Sequence, residues 1–400
     1  MRATFHLKTL AVAIAALSVA SVASAAGLDR SGQDVTAFLQ DGTYAEAVYT
    51  YIDADVTGED SSGNKLDDIA ESYDFFRYGV KADINETFSI GVLYDEPFGA
   101  AADYVGDSNF VDATGEGTNV EVRTESITGI LGAKIGQNKN FQVYGGPVAQ
   151  RVEADVKLRG PAYSAANGYT THISADQDYG YIAGVAYSKP EIALKAALTY
   201  RSEIEHNTQA AEIYPFAPRV GLSTDSTNTI EVTTPESINF DFQTGINPTT
   251  LATAKVRWVP WSDFAITPSL YNGVSQVLAT TPAGAGIPLD GLDLVSYDDD
   301  QWQVELGLAK RVAPALAVSG TVGWDSGAGN PVTSLGPIEG YYSAGLGAKY
   351  NVTENWAVSA GGKYLWFGDA EGQIPSKTIV SDFESNDGFV LGVKVSYQAQ

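Results

Sequence analysis

Ten basic residues fall on the same side of an alternating pattern: Arg77, Lys81, Lys134, Lys195, Arg201, Lys255, Arg257, Lys349, Lys363 and Lys394. The chain is otherwise strongly acidic, with 49 Asp and Glu against 24 Lys and Arg and a net charge of −25, so this placement is informative. Bases held on an inner face can capture a carboxylate head group through charge-assisted hydrogen bonds. Arg77, Arg201, Arg257 and Lys363 are the leading candidates. The competing reading is structural, with inner bases pairing with Asp83, Asp241 or Glu305. A second group is Pro97, Phe98, Gly99 and Ala100, followed by two further alanines. Proline cannot donate a ladder hydrogen bond, and glycine tolerates a sharp bend. These residues could therefore form an inward kink with a gap beside it. Alternatively, they end a strand at an outer loop.

Other chemistries find little support. There is no Cys, and the three His are His6, His172 and His206. Thiolate metal sites, iron–sulfur clusters and cysteine nucleophiles are thereby excluded. No Gly-x-Ser-x-Gly elbow, phosphate loop or dinucleotide motif is present. Neither an enzyme nor a cofactor is expected. The acidic balance argues against nucleic acid as a partner. Asp298-Asp299-Asp300 with Asp290 and Asp293, and Asp67-Asp68 with Glu71, carry the hard oxygen ligands a divalent ion prefers. Their spacing is not that of a calcium loop, and solvated outer loops are the simpler reading, so no metal site is assigned. Bridging to lipopolysaccharide through divalent ions stays open.

The elements that must position these residues are β-strands. Tyr342, Ala344, Leu346, Ala348 and Tyr350 share one face, opposite Ser343, Gly345, Gly347 and Lys349. Trp356 to Trp366 and Phe389 to Tyr397 repeat the pattern. Period two marks strands. Aromatics at both ends of the apolar faces, and a polar opposite face, fit a membrane barrel with a wet lumen better than a soluble sandwich. Short and long connections alternate along the chain, which predicts an all-β fold, a transmembrane antiparallel β-barrel of about 14 strands. The ninth strand is expected over 250–272 with a bulge at Pro260, and the seventh over 190–204 before a loop at 205–225. Arg2 and Lys8, the apolar run Leu10 to Val22 and Ala23-Ser24-Ala25 form a signal peptide, 1–25. The barrel occupies 44–400, in the outer membrane of a Gram-negative cell, with both termini on the periplasmic side.

Several short words carry a family resemblance. They are Tyr94-Asp95-Glu96-Pro97-Phe98-Gly99, then Thr233-Thr234-Pro235-Glu236-Ser237-Ile238, then Val256-Arg257-Trp258-Val259-Pro260-Trp261, and Trp324-Asp325-Ser326. In order and spacing they resemble the outer-membrane long-chain fatty acid transporters (FadL-like). The resemblance implies a lumen plugged by an N-terminal hatch, here the short segment 26–43, and a third strand kinked to open the wall sideways. It implies passive uptake of long-chain fatty acids or similar hydrophobic compounds, with lateral release into the bilayer. The partners expected are that hydrophobic small molecule and the surrounding outer-membrane lipid and lipopolysaccharide, with the protein a monomer. The Asn-Pro-Ala word usual in the family's hatch is missing between Gly27 and Tyr44. A general diffusion porin or a structural barrel is the alternative function.

Overall fold

The computed structural model describes residues 28–399, so the signal peptide lies outside the described residues. Fourteen membrane-spanning strands follow a short N-terminal segment. They are β1 (Thr43–Asp55), β2 (Tyr73–Asp83), β3 (Phe88–Asp95, resuming as Gly99–Asp103), β4 (Asn119–Ile135) and β5 (Phe141–Lys157). Next come β6 (Thr170–Lys189), β7 (Leu194–Arg201, resuming as Ile204–Ile213), β8 (Asp225–Thr234, resuming as Ser237–Asn247) and β9 (Thr250–Val259). The last five are β10 (Gln301–Ala313), β11 (Leu316–Asp325), β12 (Glu339–Asn351), β13 (Trp356–Gly368) and β14 (Asp387–Ala399). Each pairs antiparallel with its neighbour in sequence. β1 closes the ring on β14, from Thr43 opposite Ala399 to Asp55 opposite Asp387. Closure removes the unpaired edges that a bilayer would not tolerate.

The faces separate as the alternation requires. Tyr342, Tyr350, Trp356, Trp366 and Phe389 are exposed on the outer surface, with Leu346, Leu391 and Val393 between the aromatic rims. Ser343, Lys349, Ser359, Lys363, Lys394 and Ser396 are buried toward the lumen. The periplasmic turns are held by local side chains. Asn85 accepts from the Thr87 and Phe88 amides at 2.8 and 2.9 Å. Thr353 accepts from Trp356 at 3.0 Å. Side chains of this kind close tight turns without help from the strands.

Two expectations need correction. The ninth strand stops at Val259 instead of running to 272, and Pro260 ends it, giving way to a short 3-10 turn, Trp261–Asp263. Its missing N–H cannot continue the ladder. The seventh strand runs beyond 204 to Ile213, where a loop was expected. There Ile204 pairs with Thr234, and Ala210 pairs with both Asn228 and Ile173.

The outer loops fold over the barrel mouth. Gly58–Asp60, Lys65–Leu66, Val332–Thr333, Ala370–Gln373 and Ile379–Phe383 make a small sheet there. Helix α1 (Ser269–Ala279) begins after Pro268 and has no cap from its own N-terminal side chain. Glu212 supplies the missing acceptor, taking the Leu270 and Tyr271 amides at 2.9 Å each and the Tyr169 hydroxyl at 2.9 Å. A helix start leaves such amides orphaned unless another group accepts from them. Tyr104 donates to the Ser334 carbonyl at 2.6 Å, tying the loops after β3 and β11 together.

Candidate functional site: a plugged lumen with a breach in its wall

Residues 28–42 lie inside the barrel. Val35 and Phe38 are fully buried. The wall makes room for them with glycines. A Cβ on Gly91 would come within 2.6 Å of the Phe38 ring, and one on Gly132 within 2.8 Å. The acids of this segment meet the lumen bases. Arg257 grips Asp29 through Nε and Nη2, both at 2.8 Å, and reaches Gln33 at 3.2 Å. Lys255 donates to Asp34 at 2.7 Å, with Arg77 at 3.9 Å from the same carboxylate. Burial alone would raise the Asp34 pKa, but Lys255 and Arg77 outweigh it and hold the carboxyl below the usual carboxylate range. Lys195 donates to the Leu39 carbonyl at 2.7 Å, and Lys81 to Gly42 at 2.8 Å.

The four candidate head-group bases therefore sit in different circumstances. Arg257 and Arg77 hold the hatch. Lys363 is paired with Glu305. Arg201 donates to Thr128 at 3.1 Å, but its Nε is buried without an acceptor and it forms no ion pair among the described residues. The structural pairings weighed from sequence also occur, as Lys81 with Asp83 and Lys255 with Asp241. Asp300 is taken by Trp258 and Ser262, and Asp298 by Lys377. Among the described residues no group of three or more His, Asp or Glu is arranged to hold a metal.

The third strand is interrupted at Glu96 to Phe98, and Gly99 and Ala100 already pair with Arg123 and Val122 of β4. β2 and β3 pair from Asp83 opposite Ser89 up to Tyr78 opposite Tyr94, and there the ladder stops. It resumes only at the rim, where Ala70 bridges Ala102. Between these points Tyr73 to Arg77 have no ladder partner on this side. The kink is satisfied by other groups. The Phe98 amide donates to Thr124 Oγ1 at 2.8 Å, and the Thr124 hydroxyl donates to the Phe98 carbonyl at 2.6 Å. The Arg30 amide donates to Pro97 O, and the Gly99 amide to Leu28 O, both at 2.8 Å. The hatch thus replaces β2 as the partner of the kink.

Behind Phe98 lies an apolar pocket lined by Leu28, Val122, Val152, Trp261, Phe264 and Ile266, among others. Its free volume is about 20 Å³, room for a water or so. Trp261 meets Phe98 edge-on, with centroids 5.5 Å apart. A larger hydrophobe enters only if side chains of the lining move. Sequence reasoning missed this pocket because its walls come from the hatch, the kink and five other regions of the chain. Trp261 and Phe264 carry the clearest signal, since two large aromatics directly after a strand-ending proline have no place in a solvated loop.

A closed barrel with a lipid-facing apolar surface, a filled lumen and an internal apolar pocket has the architecture of an outer-membrane channel. Residues 35–398 match the family described as Outer membrane protein transport protein (OMPP1/FadL/TodX), and the chain belongs to that family. A Pseudomonas aeruginosa FadL homologue superimposes with a TM-score of 0.70 at 14% identity, over 94% of this chain and 95% of that one. The P. putida toluene transporter TodX gives 0.60 at 12% identity, over 90% and 91%. The Ralstonia pickettii toluene transporter TbuX gives 0.56 at 11% identity, over 91% and 92%. No curated protein matches the sequence.

Proposed function

We propose that this channel takes up long-chain fatty acids passively and releases them sideways through the breach between β2 and β3. The observation that carries this reading is the interrupted ladder at Pro97 and Phe98, with the apolar pocket directly behind it. A fatty acid that left through the lumen would expose its whole tail to water. Each buried CH₂ is worth about 0.8 kcal/mol, so an eighteen-carbon chain faces an opposing cost on the order of 10 kcal/mol. A gap in the wall lets the tail pass directly into the bilayer. Pro97, Phe98, Gly99 and Ala100 form the gate, with Phe98 as the residue that moves. The charge requirement of a fatty acid is met in the lumen by Arg201, the one of the four candidate bases without an acid. Arg77, Arg257 and Lys363 are committed to acids in the closed state and become available only if the hatch or Glu305 shifts.

The protein acts as a monomer, surrounded by outer-membrane lipid and lipopolysaccharide. Lipid extraction and mass spectrometry of the purified protein test the substrate class. Long-chain fatty acids should be recovered in stoichiometric amounts. Recovery of only uncharged aromatic hydrocarbons would shift the assignment to the toluene-type substrates of TodX and TbuX.

A further inference from the structure

Arg30 takes a course that the rest of the hatch does not. Its backbone is bonded to Pro97 inside the kink. Its guanidinium lies elsewhere. Gly99 pairs with Arg123, and Ala101 with Glu121. Arg123 and Glu121 are exposed on the outer surface of β4, with side chains 65% and 44% accessible. Residues opposite each other in a ladder share a face, so a side chain on Gly99 would point outward too. A Cβ built there would lie 2.4 Å from Arg30 Cζ and 2.5 Å from Nε. Arg30 therefore runs from the lumen into the breach and lays its guanidinium between the kinked strand and Tyr73 of β2, in the space that the missing Gly99 side chain leaves.

The guanidinium is poorly satisfied there. The residue is 6% exposed. It stacks over the Tyr73 ring at 4.1 Å. Its Nε is buried without an acceptor, and among the described residues its side chain makes no hydrogen bond or ion pair. The charges around it are Glu96, Glu121 and Arg123. Glu96 is engaged elsewhere, by the Tyr94 hydroxyl at 3.4 Å and by the backbone of Phe76. A buried guanidinium with donors to spare is costly unless an anion meets it.

We infer that Arg30 is the carboxylate-reading residue of the lateral opening: it accepts the head group of an outgoing long-chain carboxylate and selects such ligands over uncharged hydrocarbons. The inference rests on the lateral release proposed above. A planar fork suits a carboxylate bidentately. It belongs to the hatch, so binding the head group and moving the plug away from Phe98 are one event.

The test compares oleate with methyl oleate, which has the same tail without the charge, on the full-length protein purified in neutral detergent. Arg30→Met keeps an unbranched side chain over Tyr73 and removes every donor, whereas Arg30→Lys keeps the charge. The expected result is an oleate affinity lower by about tenfold or more in Arg30→Met, unchanged methyl oleate binding, and partial rescue in Arg30→Lys. Equal changes for both ligands, or no change for either, would overturn the inference and assign Arg30 to sealing the breach alone. If the parent binds neither ligand, the lateral release of fatty acids fails, and this inference with it. Retention of lipopolysaccharide, but not of oleate, by the parent and its loss in Arg30→Met would also overturn the carboxylate assignment.

Discussion

Arg257, near the outer end of β9, holds Asp29 of the hatch by two hydrogen bonds of 2.8 Å across 228 positions of sequence. Both side chains are almost sealed from solvent, at 4% and 0% exposure. Breaking one side of such a pair leaves a buried charge uncompensated and costs about 3–5 kcal/mol. Arg257→Met should therefore loosen the hatch without unfolding the barrel. Planar-bilayer recordings should change from a nearly silent parent to a channel with frequent open steps. A silent variant would show that Asp29 does not anchor the plug.

Acid should loosen the hatch as well. Asp34 has a pKa held below its ordinary value while it is seated against Lys255 and Arg77. A depressed carboxylate contributes its stabilisation fully above the pKa of the released state, about 3.9, and loses it as pH falls below that value. Conductance should be flat from pH 8 to about pH 5 and rise progressively below about pH 4. Asp34→Asn should remove most of this dependence. A rise centred between about pH 6 and pH 7 would contradict the assignment to Asp34.

Of the four candidate head-group bases, Arg201 is the one with a buried donor left without an acceptor. Arg201→Met should weaken oleate binding by about tenfold, the loss of one charge-assisted hydrogen bond of roughly 1.5–3 kcal/mol. An uncharged long-chain alkane should bind as before. Titration calorimetry in detergent separates the two ligands. Equal affinities of parent and variant for oleate would remove Arg201 from the head-group path.

Glu212 bridges the barrel rim to α1. Glu212→Ala leaves two helix amides and the Tyr169 hydroxyl without their acceptor, at a cost of about 1–3 kcal/mol each where they stay buried. The cover over the mouth should fray while the strands persist. Hydrogen exchange at Leu270 and Tyr271 should accelerate by at least about tenfold, since 1.4 kcal/mol is a tenfold change in an equilibrium. Unchanged protection there would assign the cap to other groups.

The spans were legible in the sequence where one face meets lipid and the other meets the lumen. β12, β13 and β14 alternate between aromatic or aliphatic residues and Gly, Ser or Lys, and their bounds follow from that contrast. The outer half of β7 lacked it. Ile204, His206, Thr208, Ala210 and Glu212 face inward, and Glu205, Asn207 and Gln209 face outward, so both faces are largely polar and no apolar period appears. The interruption has a local mark in Pro97, which cannot donate to a ladder, whereas Gly99 pairs with Arg123 in the resumed strand. The use of the lumen bases was not legible, since Arg257 meets Asp29 only through closure of the whole barrel. Arg30 was invisible for a related reason: it is a single base in a segment with no periodicity, and the glycine that makes room for it lies on another strand.

The most direct test of the account concerns the breach itself. Gly99→Leu places a branched apolar side chain on the membrane side of the kink, where a Cβ already meets Arg30 at 2.4 Å. The ladder of β3 with β4 does not depend on that side chain, so the barrel should assemble and remain heat-modifiable. Uptake of labelled oleate by cells carrying the folded variant is the measurement. The account predicts that uptake falls to the level of cells without the protein. Parental uptake by a folded Gly99→Leu barrel would contradict lateral release at this site.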